Sequence, residues 1–217
     1  MTNLHGDEIE PPVLTEFQIE VARLFFSLPA SDRFLLAGGA ALLVQHMTVR
    51  PTHDLDFFTD TPGSVQSARN EFEAAAQERG WTVDVRQSTT TFCRLVVHGW
   101  EDLLVDIALD SPPLQPATAS FVGPTFAPDE LAGRKLMALF DRAEARDFAD
   151  VYVLLRTYTK SELLTWAKDI DAGFDAGFLA EQLGTLRRFR DSDLPVESAS
   201  AEQLREFFDV WIHELNS

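Results

Sequence analysis

Cysteine is almost missing from this chain of 217 residues: Cys93 stands alone, which excludes an internal disulfide framework and a cysteine-built zinc site. Lysine is scarce as well, with three residues, and all basic residues together number 18 against 35 acidic ones, a formal charge of −17. That surplus repels a polyanion at long range, the reverse of what a generic nucleic-acid binder carries. The histidines, His5, His46, His53, His98 and His213, never pair at a metal-ligand spacing, so zinc is disfavoured on that count too. No apolar run approaches the roughly 20 residues of a membrane-spanning helix. The opening MTNLHGDEIEPP lacks the basic and apolar regions of a secretory signal, and a cytoplasmic protein with no membrane partner is expected.

What is present is a large apolar fraction, 45% of residues, enough for one sizeable core or for a core with a helical extension. Of the 18 basic residues, 15 are arginines, and several cluster: Arg134 with Lys135, Arg142 with Arg146, and Arg187 and Arg188 with Arg190. These clusters are either local positive patches on an acidic body or ordinary solvated helix faces.

The periodicities predict an order of elements. Val13, Phe17, Val21, Leu24, Phe25 and Leu28 fall at helical spacing from Pro12 onward, and Pro29 ends the pattern. Phe34 to Ala37 reads as a short strand closed by Gly38-Gly39, and Ala40 to Met47 as the helix after that turn. His53 to Phe58 alternates polar with apolar residues, a strand with Asp54 and Asp56 on one face and Leu55 and Phe57 on the other. Ser64 can cap a helix running to Arg79, with Gly80 as its stop. Strands follow at Trp81 to Arg86, Phe92 to His98 and Leu103 to Leu109. The proline-rich segment Ser111 to Pro128 marks a boundary, and helices are expected at about 129–141, 143–156, 160–169, 175–189 and 200–215. The implied division is a mixed α/β domain over residues 1–118 and a helical one over 119–217.

Two aspartates at i and i+2 on one strand, beside a glycine turn, form a cluster too negative to be stable alone and suited to a divalent cation. Magnesium prefers oxygen ligands and is usually completed by substrate phosphates, so two or three carboxylates suffice. Asp106, a carboxylate inside the apolar run Leu103 to Leu109, is costly unless it faces the same cleft, as a third ligand or as a base for an incoming hydroxyl. Gly38 and Gly39 let backbone N–H groups approach phosphate oxygens at the start of a helix. With a triphosphate in place, the reaction that follows is in-line displacement at the α-phosphorus, and Lys135 can neutralise charge on the leaving phosphates. Asp147 and Asp150 share one helix face at i, i+3; by spacing alone they are either functional or salt-bridged to Arg142 or Arg134.

Four strings, Leu36-Ala37-Gly38-Gly39-Ala40-Ala41-Leu42, Arg50-Pro51-Thr52-His53-Asp54-Leu55-Asp56-Phe57, Arg134-Lys135-Leu136-Met137-Ala138-Leu139 and Arg146-Asp147-Phe148-Ala149-Asp150, resemble the AbiEii/AbiGii-type nucleotidyltransferase toxins of bacterial toxin–antitoxin and abortive-infection systems. The resemblance implies an α+β nucleotidyltransferase fold of the DNA polymerase β kind, a mixed sheet with flanking helices followed by a helical C-terminal part. It also implies magnesium, a nucleoside triphosphate as substrate, a cognate antitoxin protein as partner, and transfer of nucleotides to the tRNA 3′ acceptor end. By motif position Asp54 and Asp56 match the metal pair, Lys135 the lysine of the cleft, and Asp147 or Asp150 the helical acid. Gly38, Gly39, Lys135 and Arg146 are then the candidate nucleotide-binding residues. Where many nucleotidyltransferases place Gly-Ser, this chain has Gly38-Gly39, with no hydroxyl for a phosphate oxygen. Two other readings use the same residues differently: nucleotidyl transfer to a protein or small molecule, or a catalytically silent interaction partner.

Overall fold

The computed structural model describes residues 14–196 and 198–217, the side chains of Ser198 and Ala199 aside. The opening peptide, with Pro12 and Val13 that begin the expected first helix, lies outside the described residues. The first helix, α1 (Glu16–Phe26), is set by a capping box: Thr15 Oγ1 accepts from the Gln18 amide at 3.1 Å, and Gln18 Oε1 accepts from the Thr15 amide at 2.9 Å. Then come β1 (Phe34–Ala37), α2 (Gly38–Val44), β2 (Asp54–Thr59), α3 (Ser64–Glu78), β3 (Thr82–Ser88), β4 (Phe92–His98) and β5 (Asp102–Leu109). Gly63, with φ of +85°, occupies the cap position expected of Ser64, so α3 begins at the serine.

The seven strands form one mixed sheet in the order β3-β4-β5-β2-β1-β7-β6. The segment expected to be a plain boundary contributes its last two strands, β6 (Thr118–Ala119) and β7 (Pro124–Thr125), and β7 pairs in parallel with β1 at Leu36 and Thr125. A division after residue 118 therefore falls inside β6, and the proline-rich stretch is part of the sheet edge. The C-terminal part is helical: α4 (Pro128–Asp141), α5 (Ala145–Leu154), α6 (Lys160–Ile170), α7 (Ala176–Gly184) and α8 (Ser198–Leu215). The expected helix over 175–189 stops at Gly184 and tightens into a 3₁₀ turn, Thr185–Arg188.

Alternation along β2 sorts its two faces as the strand period requires. Leu55 and Phe57 are fully buried on the side of α1 and α3, where Phe25 stacks on Phe57 at 3.9 Å between centroids and lies 6.0 Å from Phe72. Asp54 and Asp56 take the other face. One apolar cluster runs from Leu14 to Trp211, so the sheet and the helical part share a core. Among the described residues, no helix is long and apolar enough to cross a membrane.

The aromatic stack behind β2 is what presses the strand into register, and its removal leaves a cavity under the acidic face. Phe57→Ala should cost about 3–5 kcal/mol of unfolding free energy. The exposed Val85→Ala should cost less than about 0.5 kcal/mol, and urea denaturation of both variants compares them directly.

Candidate active site

Strand registry builds the site before any side chain is considered. Asp56 on β2 pairs with Asp106 on the parallel β5, Arg94 on β4 pairs with Asp106 from the other side, and Ala37 at the end of β1 pairs with Asp56. Paired residues share a face, so Arg94, Asp106, Asp56 and Ala37 form one row across the sheet, with Asp54 two residues along β2. All three carboxylates line a cavity of about 230 Å³, and Gly38 and Gly39 close one end of it.

Gly38 is required there for two reasons. Its φ is +63°, and a Cβ built on it would overlap Oδ2 of Asp56. The bend and the carboxylate pair are thus packed directly against each other. Helix α2 begins in this bend but is only seven residues long and ends at Val44, so its dipole is a small asset. The positive charge of the site comes from side chains instead: Arg50, Arg94, Lys135, Arg142 and Arg146 all line the cavity.

Each cation has a defined partner. Arg94 meets Asp106 with two bonds, Nε to Oδ1 at 2.9 Å and Nη2 to Oδ2 at 2.6 Å. Arg146 reaches Asp54 Oδ2 at 3.0 Å, while Thr52 Oγ1 donates to Asp54 Oδ1 at 2.7 Å. On the helical side, Lys135 Nζ lies 3.0 Å from Asp150 and 3.4 Å from Asp147. Asp147 also accepts two bonds from Arg142, at 2.9 and 3.0 Å, and Asp150 accepts two from Arg50, at 3.0 and 2.9 Å. Lys135, Asp147 and Asp150 are 6%, 0% and 1% exposed, a fully enclosed triad. Spacing alone left Asp147 and Asp150 as either functional or bridged to Arg142 or Arg134, and the resemblance pointed to one of the two. Both acids hold cations of the cleft, and Arg134 goes elsewhere, to Asp110 and Glu130.

The electrostatics follow from these contacts. Burial pushes the Asp54 carboxyl up, but the Thr52 hydroxyl and the Arg146 guanidinium outweigh it and hold it below the usual aspartate range. Asp147 and Asp150 are also held low, because Arg142, Lys135 and Arg50 more than offset burial. Asp56 differs. Burial first, then the charges of Asp54 and Asp106, push it up to about 7, and no hydrogen bond from a described residue relieves it. The centre of the row therefore holds a negative charge poorly: Lys135 and Arg142 draw the carboxyl down only from a distance, and no cation contacts it.

That unmet charge is the test of whether a divalent cation suits the site. The donors are carboxylate oxygens on one face of a cavity, the set a hard cation takes, and the central one is disfavoured as an anion without a cation. They fit in chemistry and placement. In the arrangement present, no group of three or more His, Cys, Asp or Glu among the described residues already forms a metal cage, and Asp54 and Asp106 are turned onto arginines.

Residue by residue, the cavity gathers Gly38, Gly39, Asp54, Asp56, Asp106, Lys135 and Arg146, and Asp147 and Asp150 stand behind it as partners of its cations. Arg50 and Arg94 were given no role by sequence reasoning. A signal for Arg94 existed: it sits as far before Trp100 in the β4–β5 turn as Asp106 sits after it, so hairpin geometry alone pairs the two.

Residues 22–212 match the family described as nucleotidyl transferase AbiEii toxin, type IV toxin–antitoxin system. The fold resembles that of MenT4, a nucleotidyltransferase toxin from Mycobacterium tuberculosis H37Rv, at 18% identity and a TM-score of 0.62, covering 90% of this chain and 82% of that one. It also resembles JHP933 from Helicobacter pylori, at 19% identity and a TM-score of 0.54, covering 94% and 95% of the two chains. No curated protein matches by sequence.

Two outcomes follow. Because folded Asp56 holds its proton up to about 7 while an unfolded aspartate loses it near 3.8, metal-free stability falls as pH rises between those values. The loss is up to about 4 kcal/mol above pH 7. Asp56→Asn should therefore raise the melting temperature in EDTA at pH 8 and leave it nearly unchanged at pH 4; equal effects at both would contradict the geometry. Gly38→Ala should displace the Asp56 carboxyl, and a crystal structure of that variant would show the shift.

Proposed function

The chain belongs to the AbiEii family of nucleotidyltransferase toxins of type IV toxin–antitoxin systems, and from that premise we propose that it transfers a nucleoside monophosphate from a nucleoside triphosphate to the 3′ acceptor end of tRNA, blocking translation in the cytoplasm. The observation that carries this reading is the row Asp56–Asp106 with Asp54, packed against the Gly38 bend and ringed by five cations in one cavity.

Asp54, Asp56 and Asp106 would hold magnesium, which when bound polarises phosphate oxygens and lowers the pKa of an attacking hydroxyl. The remaining work belongs to the chain. Backbone N–H groups at Gly38 and Gly39 and the guanidinium of Arg50 receive triphosphate oxygens, and Lys135 and Arg142 offset the charge that gathers on the leaving group. Asp106 takes the proton of the acceptor hydroxyl. The acceptor oxygen bonds to the α-phosphorus, the bond from that phosphorus to the bridging oxygen breaks, and pyrophosphate departs. Asp147 and Asp150 act through the cations they hold and keep Arg50, Lys135 and Arg142 aimed at the cavity.

A cognate antitoxin is the protein partner that the family brings. The charge of −17 favours a second acceptor class, a cationic small molecule or protein, since the outer field of this chain attracts cations. The five cations of the cavity are offset by its acids in the arrangement present and favour a polyanion at the point of reaction once those acids are engaged by a divalent ion, and the RNA reading rests on them.

Incubation with total RNA, magnesium and each labelled triphosphate in turn should put label in the tRNA band, and Asp56→Asn should lower it about a hundredfold to a thousandfold with the fold intact by circular dichroism. Label in protein or in a small molecule, with RNA unlabelled, would overturn the acceptor assignment.

A further inference from the structure

The ion pairs of the cavity fall into two kinds by exposure, apart from Arg142, whose side chain is 45% exposed but whose acid, Asp147, is fully buried, lies outside the acidic row and is held by Lys135 as well. Lys135 with Asp147 and Asp150, and Arg50 with Asp150, are enclosed at both ends: the cations are 6% and 15% exposed and the acids no more than 1%. Arg94 and Arg146 are different. Their side chains are 45% and 38% exposed, while the carboxylates they grip, Asp106 and Asp54, are 10% and 16% exposed. Each is a solvated arm laid onto a buried acid, one from β4 and one from α5, on either side of an Asp56 that has no cation of its own.

We propose that Arg94 and Arg146 are exchangeable counter-cations of the acidic row: they neutralise Asp106 and Asp54 in the metal-free protein and must release them for a divalent ion to be held. This rests on the metal-dependent reading given above. The energetics separate the two kinds of pair. Breaking an enclosed pair strands a buried charge and is strongly unfavourable, so Lys135, Arg50 and their acids stay fixed. An arginine with a solvated arm loses little when it swings into water, since partly exposed pairs contribute modestly to stability. A divalent ion that meets three carboxylates at once therefore displaces the arms and leaves the enclosed network in place. The same picture fits the lack of a ready-made cage among the row's three carboxylates: two of them are turned onto guanidinium groups, and Glu144, the fourth acid of the cavity, is held by Arg146 as well. Once released, both arginines stay tethered at the rim of the cavity, where polyphosphate or acceptor phosphate supplies a new partner for them.

The inference makes an inverted demand on mutants. Removing a purely structural ion pair lowers stability and leaves metal affinity equal or weaker. Removing an exchangeable counter-cation lowers the stability of the metal-free protein and strengthens metal binding, because the competitor is gone. Manganese titration followed by electron paramagnetic resonance, on the full chain without nucleotide, reads affinity independently of activity. Arg94→Gln and Arg146→Gln should each bind Mn²⁺ about tenfold more tightly than the unaltered protein, with lower melting temperatures in EDTA. Arg69→Gln, which breaks a surface pair with Glu73 away from the cavity, should leave affinity unchanged. Arg94→Lys keeps the charge and loses the two-pronged grip, and it should also bind Mn²⁺ more tightly.

Unchanged or weaker binding in both glutamine variants overturns the inference while leaving metal use intact. Tight binding by Arg94→Gln with Arg94→Lys identical to the unaltered protein overturns it as well, because net charge alone would then account for the change. Absence of Mn²⁺ binding in every variant removes the metal-dependent reading itself, a distinct result.

Discussion

Three carboxylates on neighbouring strands cannot share one cavity unless positive charge comes with them, and most of what surrounds the sheet face in this protein serves that requirement. Strand pairing places Asp56 beside Asp106 whatever their charge, because the register is set by the apolar face behind them, where Phe57, Val105 and Ile107 are fully buried. The cost of the front face is met by groups from elsewhere: Arg94 from β4, Arg146 from α5, and at longer range Lys135 and Arg142. Only Asp56 is left in deficit. A scaffold that needed nothing but stability would place an asparagine there. Keeping an aspartate is a standing cost that a bound cation would remove.

The pairing of α4 with α5 follows from the same constraint. A lysine as enclosed as Lys135 is tolerable as a cation only with acids around it, and Asp147 and Asp150, one turn apart on α5, close on it together. Each acid has a second cation to hold, Arg142 for Asp147 and Arg50 for Asp150. The two acids share Lys135 and take Arg142 and Arg50 separately, so both bear on the cleft, while Arg94 and Arg146 go to Asp106 and Asp54. The arrangement also reconciles the overall charge of −17 with a phosphate-bearing substrate. The far field of the molecule does not draw a polyanion in, whereas five short-range cations at the cavity act after contact.

Much of this was legible in the residues. The i, i+2 alternation of β2, the glycine bend before α2 and the isolated Asp106 within an apolar strand each announce a polar face on a buried sheet, and each stands where expected. Two things were hidden for physical reasons. Strands β6 and β7 are two residues each and borrow their pairing from β1, so no local periodicity marks them. Which arginine serves which acid is a matter of tertiary contact: Arg50 reads locally as a helix breaker beside Pro51, and its bonds go to Asp150, 100 residues away. Arg94 was recoverable from hairpin arithmetic, because a charged residue in Phe92–His98 and another in Asp102–Leu109 sit at mirror positions about one turn.

The glycine where related enzymes carry a serine also has a spatial cause. A Cβ on Gly39 would lie 2.7 Å from Thr52 Oγ1 and 3.3 Å from an Arg50 guanidinium nitrogen. The volume a serine side chain needs is already filled by a hydroxyl and a cation from the loop before β2. That loop is pinned from behind by Gln18, whose amide donates to the Thr52 carbonyl at 2.9 Å, and from the side by Asp150 on Arg50. So the missing hydroxyl at position 39 is not a vacancy in the chemistry of the bend. Polar groups stand at the same spot, contributed by Arg50 and Thr52, and the bend must be glycine to admit them. A serine introduced at 39 would push Thr52 off Asp54 and loosen the acid that its hydroxyl steadies. Restoring the more familiar dipeptide would therefore damage the site it is expected to complete.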